Sequence, residues 1–347
     1  MSQTRHIVTT DTSSQQPITL PVIDISPLLK NSKDESYQQV VKEIGQACER
    51  YGFFYLANYG GVDPELVHAL MKQGREFFAK PLEYKNRFHM KNSRVYRGFF
   101  ELGGELTYGK KDWKEGYYFS AELDDNHPAV QKGLPMHGLN QWPDETDFPE
   151  FKSTVLKYLD ALTELGHVIM SAIGESLGLG DSFFREKFTS EPFIPFRLFH
   201  YPSDPEAKFE NGEERFGVGK HQDYGCLTIL KQDHVGGLEV EDKSTGTWIK
   251  APPIENTFVV NIGDMLERWT CGRYKAVPHR VRNPSREDRL SAPFFFDPNF
   301  ETIVTPLEEL AIEEEDKKKW PPIRYGDYIL AKVFAVFPEL KEHALKY

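Results

Sequence analysis

The chain has 347 residues, 39% hydrophobic and 27% charged, a composition that supports a large buried core and argues against bulk disorder. Its formal net charge of −11 leaves no basic excess for nonspecific binding to nucleic acid or an anionic membrane. A small-molecule substrate is therefore expected, with no nucleic-acid, membrane or obligate protein partner. Cys48, Cys226 and Cys271 are too widely spaced for a disulfide framework or a CxxC motif. No apolar leader or long apolar run occurs, so a soluble cytoplasmic protein is expected.

Residues 1–16 are polar and Thr/Ser-rich and read as a flexible leader, followed by a cap domain over 17–145. Within the cap, Leu20-Pro-Val-Ile-Asp-Ile reads as a short strand. Residues 37–51 read as a helix with Val40, Val41, Ile44, Ala47 and Cys48 on one face. Residues 53–58 suit a strand. Asp63-Pro64 then supplies an N-cap and a first-turn proline to a helix carrying Leu66, Val67, Leu70, Phe77 and Phe78. The Gly-, Pro- and aromatic-rich stretch 94–143 lacks periodicity and reads as ordered loops and short strands. Helical spacing returns over 151–177, within a supporting segment placed at 146–191, and Gly178 and Gly180 suit its stop.

From Ile194 the texture changes to short apolar runs broken by Gly, Pro and Asp, at 196–201, 226–230, 237–240, 247–249, 258–262, 279–281 and 292–296. Such spacing predicts an α+β chain with a mainly β core, a double-sheet jelly roll over 192–300. Asn211-Gly-Glu-Glu-Arg is expected as an exposed hairpin excursion. The C-terminal segment 301–347 is expected to be helical, with 308–319 a solvated helix.

Residues two apart in an extended segment share a face, so His221 and Asp223 can address one metal while Gln222 points away. A second His arrives in Val277-Pro-His-Arg-Val. An isolated HxD also arises by chance on surface strands; the flanking Gly217-Val-Gly-Lys, Asp223-Tyr-Gly-Cys-Leu-Thr and His279 favour a metal. Two imidazoles and one carboxylate suit Fe(II) and leave one face of the ion open to small ligands and dioxygen. Arg289 and Ser291 share a strand face by the same alternation, where guanidinium and hydroxyl can hold a carboxylate. A surface ion pair is the alternative, but the apolar Ala292-Pro-Phe-Phe-Phe that follows places the Arg inside, where it needs an anion. His137, His167, His200 and His234 are expected as exposed or core histidines.

These motifs resemble those of the Fe(II)/2-oxoglutarate-dependent dioxygenases of the isopenicillin N synthase-like family. Beyond HxD…H and RxS, the likeness is carried by Arg197-Leu-Phe-His-Tyr-Pro, Gln232-Asp-His-Val-Gly-Gly-Leu-Glu-Val and Val260-Asn-Ile-Gly-Asp-Met-Leu-Glu-Arg-Trp-Thr. Tyr51-Gly-Phe-Phe-Tyr-Leu and Gly138-Leu-Asn-Gln-Trp-Pro resemble that family's cap, so the likeness runs from about Pro17 to Tyr328. It implies a double-stranded β-helix core with a helical N-terminal cap and supporting helices. It also implies His221, Asp223 and His279 as catalytic iron ligands, Arg289 and Ser291 as the clamp on the distal carboxylate of 2-oxoglutarate, and Tyr201 as a further co-substrate contact. Plant members often carry Asn where Phe199 stands; Arg197 is the substitute contact or else a structural Arg facing solvent. The implied activity couples oxidative decarboxylation of 2-oxoglutarate to hydroxylation or desaturation of a small metabolite, with Fe(II) as cofactor, dioxygen as co-substrate and ascorbate in support. A same-fold iron oxidase that does not use 2-oxoglutarate and a noncatalytic binding protein are the alternatives.

Substrate contacts are expected from Glu105 and Thr107, from Tyr224 beside the metal Asp, and from Phe296. The loop Gly103-Gly-Glu-Leu-Thr-Tyr-Gly-Lys-Lys-Asp-Trp-Lys-Glu, where substrate choice is expected to reside, is similar to one in the bacterial ethylene-forming enzyme, where a matching Glu and Thr hold a cationic amino-acid co-substrate. For Glu105 a turn-stabilising carboxylate is the alternative.

Overall fold

The computed structural model describes residues 19–30, 32–203, 215–282, 286–310 and 313–344. The expected leader 1–16 and the hairpin excursion at Asn211 lie outside them. In chain order the strands are β1 (Val22–Asp24), β2 (Phe53–Ala57), β3 (Gly98–Phe100), β4 (Leu106–Thr107), β5 (Lys110–Lys111), β6 (Glu115–Phe119), β7 (Phe196–Tyr201), β8 (Val218–His221), β9 (Leu227–Gln232), β10 (Leu238–Asp242), β11 (Thr247–Ala251), β12 (Thr257–Ile262), β13 (His279–Val281), β14 (Arg289–Phe296), β15 (Ile303–Val304) and β16 (Ile323–Arg324). The helices are α1 (Glu35–Arg50), α2 (Pro64–Phe78), α3 (Leu82–Asn86), α4 (Pro128–Gln131), α5 (Phe151–Ser176), α6 (Phe183–Lys187), α7 (Asp264–Trp269), α8 (Glu314–Lys317), α9 (Tyr325–Val336) and α10 (Pro338–Ala344).

Two sheets make the jelly-roll core. The larger runs β1-β2-β12-β9-β14-β7-β6-β3 and the smaller β11-β10-β13-β8. Four strands of the large sheet come from the expected cap region, with β2 pairing β12 and β6 pairing β7. The segment 94–143 thus supplies β3 and β6 to the core sheet. All five residues of β6 are buried, so it shows no alternation of polar and apolar residues.

Strand pleating divides the large sheet cleanly. On its outer face Phe54, Leu198, Ile229, Val260, Phe294 and Phe296 join the helices in one apolar cluster. Asp34 caps α1 by accepting from the amides of Ser36 and Tyr37, and Asp63 caps α2 with Pro64 behind it. The long helix α5 crosses this face. Its Gly166 has no room for a Cβ, which would lie 2.3 Å from the Phe296 ring. Gly178 and Gly180, at φ of +77° and +90°, turn the chain after its last residue as expected. The inner face of the sheet looks toward the smaller sheet, and Thr107 of β4 and Val336 of α9 complete the lining of the cavity between them. The run 308–319 is broken rather than one helix: a 3-10 turn at Glu308–Leu310 and the four-residue α8 carry its exposed charges.

Candidate active site

His221 ends β8 and His279 opens β13, and the antiparallel pairing sets these residues opposite one another. Asp223 lies beyond the end of β8, so a turn, not the expected strand alternation, brings it alongside. That turn rests on the start of α7, where the amides of Gly263, Asp264 and Met265 donate to the carbonyls of Cys226, Asp223 and Gly225. One ligand atom from each of the three residues lies within 4.8 Å of the others.

Hydrogen bonds behind the triad fix which atoms face its centre. Nδ1 of His221 is 2.8 Å from the Gly219 carbonyl and Nδ1 of His279 is 3.1 Å from that of Val277. A carbonyl only accepts, so both Nδ1 atoms carry the proton and both Nε2 lone pairs point inward, 3.6 and 3.7 Å from Asp223 Oδ1. Asp223 Oδ2 accepts from Thr228 Oγ1 at 2.5 Å and Asn261 Nδ2 at 2.7 Å, which leaves Oδ1 available. Burial lowers the pKa of His221, and burial with the neighbouring His221 pushes His279 down to about 4, so neutral imidazoles face the centre. Burial opposes ionisation of Asp223. Any positive charge on the adjacent histidines, and the Asn261 and Thr228 hydrogen bonds that persist when the imidazoles are neutral, outweigh it and hold the pKa below the usual carboxylate value.

At the other end of the cavity, Arg289 is 1% exposed. Its Nε donates to the Gly236 carbonyl and its Nη2 reaches Gln232 Oε1 at 3.5 Å, while the guanidinium lies 4.6 Å from the Tyr201 ring centre. Nη1 is buried without a hydrogen-bond partner. Ser291 Oγ lies 3.5 Å from Tyr201 Oη, so the expected clamp residues do come together. An orphaned guanidinium nitrogen inside a protein calls for an anion. A dicarboxylate reaching from the triad to Arg289 meets that need, and the nitrogen–nitrogen–carboxylate set suits Fe(II).

Arg197 does not face solvent. Its guanidinium lies 4.3 Å from the ring centre of Tyr118 and 4.7 Å from that of Phe295, and its Nε is buried without a hydrogen-bond partner. Four residues along β7 from Tyr201, it belongs to the Glu105 and Tyr224 side of the cavity. Phe199 lines the cavity with a ring where an amide would have offered a contact.

Glu105, Thr107 and Tyr224 also line the cavity, but the first two are engaged within the chain. Glu105 Oε1 accepts from Tyr118 Oη at 2.8 Å and its Oε2 lies 2.9 Å from Lys114 Nζ. Thr107 Oγ1 donates to Asp112 Oδ2 at 2.8 Å. Phe296 is a correction: it is absent from the lining and packs outward on Gly166 and His167. Arg289, Ser291, Pro293 and Phe295 occupy the cavity face of β14 instead. Alternation counted from Arg289 and Ser291 would have selected Phe295. Spacing does not single out Asn261 or Val336, and it marks Lys114 and Asp112 only as part of the loop 103–115, where pattern gives no orientation.

Comparison with known proteins accords with this geometry. Residues 20–145 match the family described as non-haem dioxygenase in morphine synthesis N-terminal, and residues 194–298 match the 2OG-Fe(II) oxygenase superfamily. A probable iron/ascorbate oxidoreductase of Dictyostelium discoideum is 42% identical, covering 94% of this chain and 97% of its own length. A 1-aminocyclopropane-1-carboxylate oxidase of Dictyostelium mucoroides is 39% identical over 92% of this chain and 95% of its own, and the homoarginine-6-hydroxylase of Glycine max is 34% identical over 92% and 98%. Among solved structures, a full-length Neurospora crassa protein in complex with alpha-KG and thymine superposes with a TM-score of 0.79 at 29% identity, covering 93% of this chain and 98% of that one. The cofactors of this group are Fe(II), 2-oxoglutarate and dioxygen, and no helix among the described residues is long and apolar enough to cross a membrane. The chain belongs to the 2-oxoglutarate–Fe(II) oxygenase superfamily, in its isopenicillin N synthase-like group, and is a 2-oxoglutarate-dependent dioxygenase acting on a small molecule.

Proposed function

We propose that His221, Asp223 and His279 hold the iron, and that Arg289, Ser291 and Tyr201 hold the distal carboxylate of 2-oxoglutarate. The buried, unpartnered Nη1 of Arg289 across the cavity from three converging ligand atoms carries this reading. When bound, iron and 2-oxoglutarate supply the oxidative activation of dioxygen, with the co-substrate decarboxylated to succinate. The residues of the chain hold the partners in register. The Nδ1 hydrogen bonds keep both imidazoles turned inward, and Asn261 and Thr228 keep Asp223 from rotating its free oxygen away. Arg197 meets a carboxylate that enters beside Asp223. Tyr224, Phe295 and Val336 shape the remaining space, where a small metabolite is positioned for hydroxylation or desaturation while water is kept out. Three free cysteines fit a reducing, cytoplasmic location.

Anaerobic protein loaded with Fe(II) and 2-oxoglutarate should show a metal-to-co-substrate absorption band, and oxygenation with a metabolite panel should release succinate and carbon dioxide. His221→Ala should abolish both the band and substrate-dependent succinate. Arg289→Ala should raise the 2-oxoglutarate requirement about 100-fold, the scale of a lost charge-assisted pair. Succinate formation that survives in His221→Ala would overturn the iron assignment. Oxygen consumption without succinate would identify an iron oxidase of the same fold.

A further inference from the structure

Glu105, Asp112 and Thr107 form what would be, by their chemistry, a receptor for an ammonium or guanidinium. Glu105 and Thr107 face the cavity, and Asp112 lies directly behind them. The charge of that receptor is already matched from within. Lys114, 1% exposed, sets its Nζ 2.5 Å from Asp112 Oδ2 and 2.9 Å from Glu105 Oε2, and 4.8 Å from the Phe199 ring centre. Tyr118 Oη donates to Glu105 Oε1 and the Gly219 amide donates to Asp112 Oδ1 at 3.1 Å, while Glu105 Oε2 is held by the Lys114 ion pair and makes no directed hydrogen bond.

Charge leads to the same conclusion. On this side of the cavity two carboxylates, Glu105 and Asp112, are matched by two cations, Lys114 and Arg197, and Glu105 attracts both. A basic substrate would bring a third cation into a low-dielectric space whose acids are neutralised, against Lys114 and Arg197.

We propose that Lys114 is a specificity residue: a cation carried by the chain that closes the Glu105–Asp112 receptor to basic ligands, so the second substrate presents a neutral or acidic group there. This rests on the reading of the cavity as the oxygenase's substrate site. Lys114 substitutes for the charge that a cationic amino acid would otherwise bring, and the partner-free Nε of Arg197 offers the matching site for an acid. The same network reaches the metal. Gly219, whose amide binds Asp112, has the carbonyl that orients His221, so the receptor and the first iron ligand share one residue's backbone.

The test compares L-arginine with its uncharged isostere L-citrulline on the full chain loaded anaerobically with Fe(II) and 2-oxoglutarate. Binding is read by the shift of the absorption band and, independently of iron, by the rise in melting temperature with methylguanidinium. Wild type should bind arginine no better than citrulline. Lys114→Met should gain about 100-fold preference for arginine and a melting-temperature rise with methylguanidinium. Lys114→Met combined with Glu105→Gln removes both charges, should fold even if the single variant does not, and should show no such gain. A wild type that prefers arginine overturns the proposal. So does a folded Lys114→Met protein indifferent to both cations, or a double variant that binds arginine as tightly as the single one. Absence of the absorption band in wild type would instead count against the oxygenase reading, and the methylguanidinium measurement would still decide the role of Lys114.

Discussion

Asp297, just past β14, shows how tightly the metal-bearing turn is packed. Its carboxyl is 2% exposed, accepts from Tyr325 Oη and lies over Gly225, where a Cβ would stand 1.3 Å from Oδ1. Burial raises its pKa from 3.8 to about 7. The folded state therefore holds this proton more tightly than the unfolded chain. The contribution to stability is fully present below about pH 4 and is lost as pH rises through about 7, at up to about 1.4 kcal/mol per pH unit. Asp297→Asn, which keeps the shape of the protonated acid, should flatten this loss. Its melting temperature relative to wild type should be higher at pH 8 than at pH 5.5. Parallel pH profiles for the two proteins would show that Asp297 is not the group responsible. At this scale the sequence spoke unevenly. The convergence of His221, Asp223 and His279 and the shared strand face of Arg289 and Ser291 were legible because HxD and RxS each set their residues at a short, fixed spacing and a second His follows in HxD…H. Lys114 and Asp112 were not, because they pair with one another and with Glu105 inside an aperiodic loop where spacing gives no orientation, and Asn261 was not, because its partner Asp223 lies far along the chain.

The strands supply the rule that decides neighbouring residues. On β14 the odd positions from Arg289 to Phe295 face the cavity, and the even positions from Leu290 to Phe296 join the outer apolar cluster under α2 and α5. Phe296→Ala should then cost about 3–5 kcal/mol, lowering the melting temperature by roughly 6 °C or more, and leave the Fe(II)·2-oxoglutarate band in place. Phe295→Ala should change which metabolites shift that band, with a smaller thermal effect. Equal thermal losses without any change in ligand response would contradict the assigned faces. Helices α1, α2 and α5 were readable from apolar spacing and caps because each has one solvated side. The aperiodic 94–143 stretch concealed β3 and β6 for the opposite reason: Phe99, Phe100 and Tyr117 are covered on every side, and turns crowd between them.

Across the whole molecule, the triad joins pieces that the backbone connects only at a distance. His221 and His279 sit on adjacent strands of the small sheet, while Asp223 lies in the turn entering β9 of the large one and is fastened there by Thr228 and Asn261. An ion bound by all three therefore bridges the two sheets, and its binding energy adds to the stability of the fold as long as the unfolded chain binds it poorly. With free metal at about 100 times its dissociation constant the gain is about 2.7 kcal/mol, or roughly 5 °C in melting temperature for a chain of this size. Chelation should remove that increment, and Mn(II) under air should restore it without turnover. In His221→Ala the increment should shrink because one attachment to the small sheet is gone. A chelator that lowers wild type and His221→Ala equally would place the stabilising ion elsewhere, whereas a loss confined to wild type ties the two sheets together through this triad.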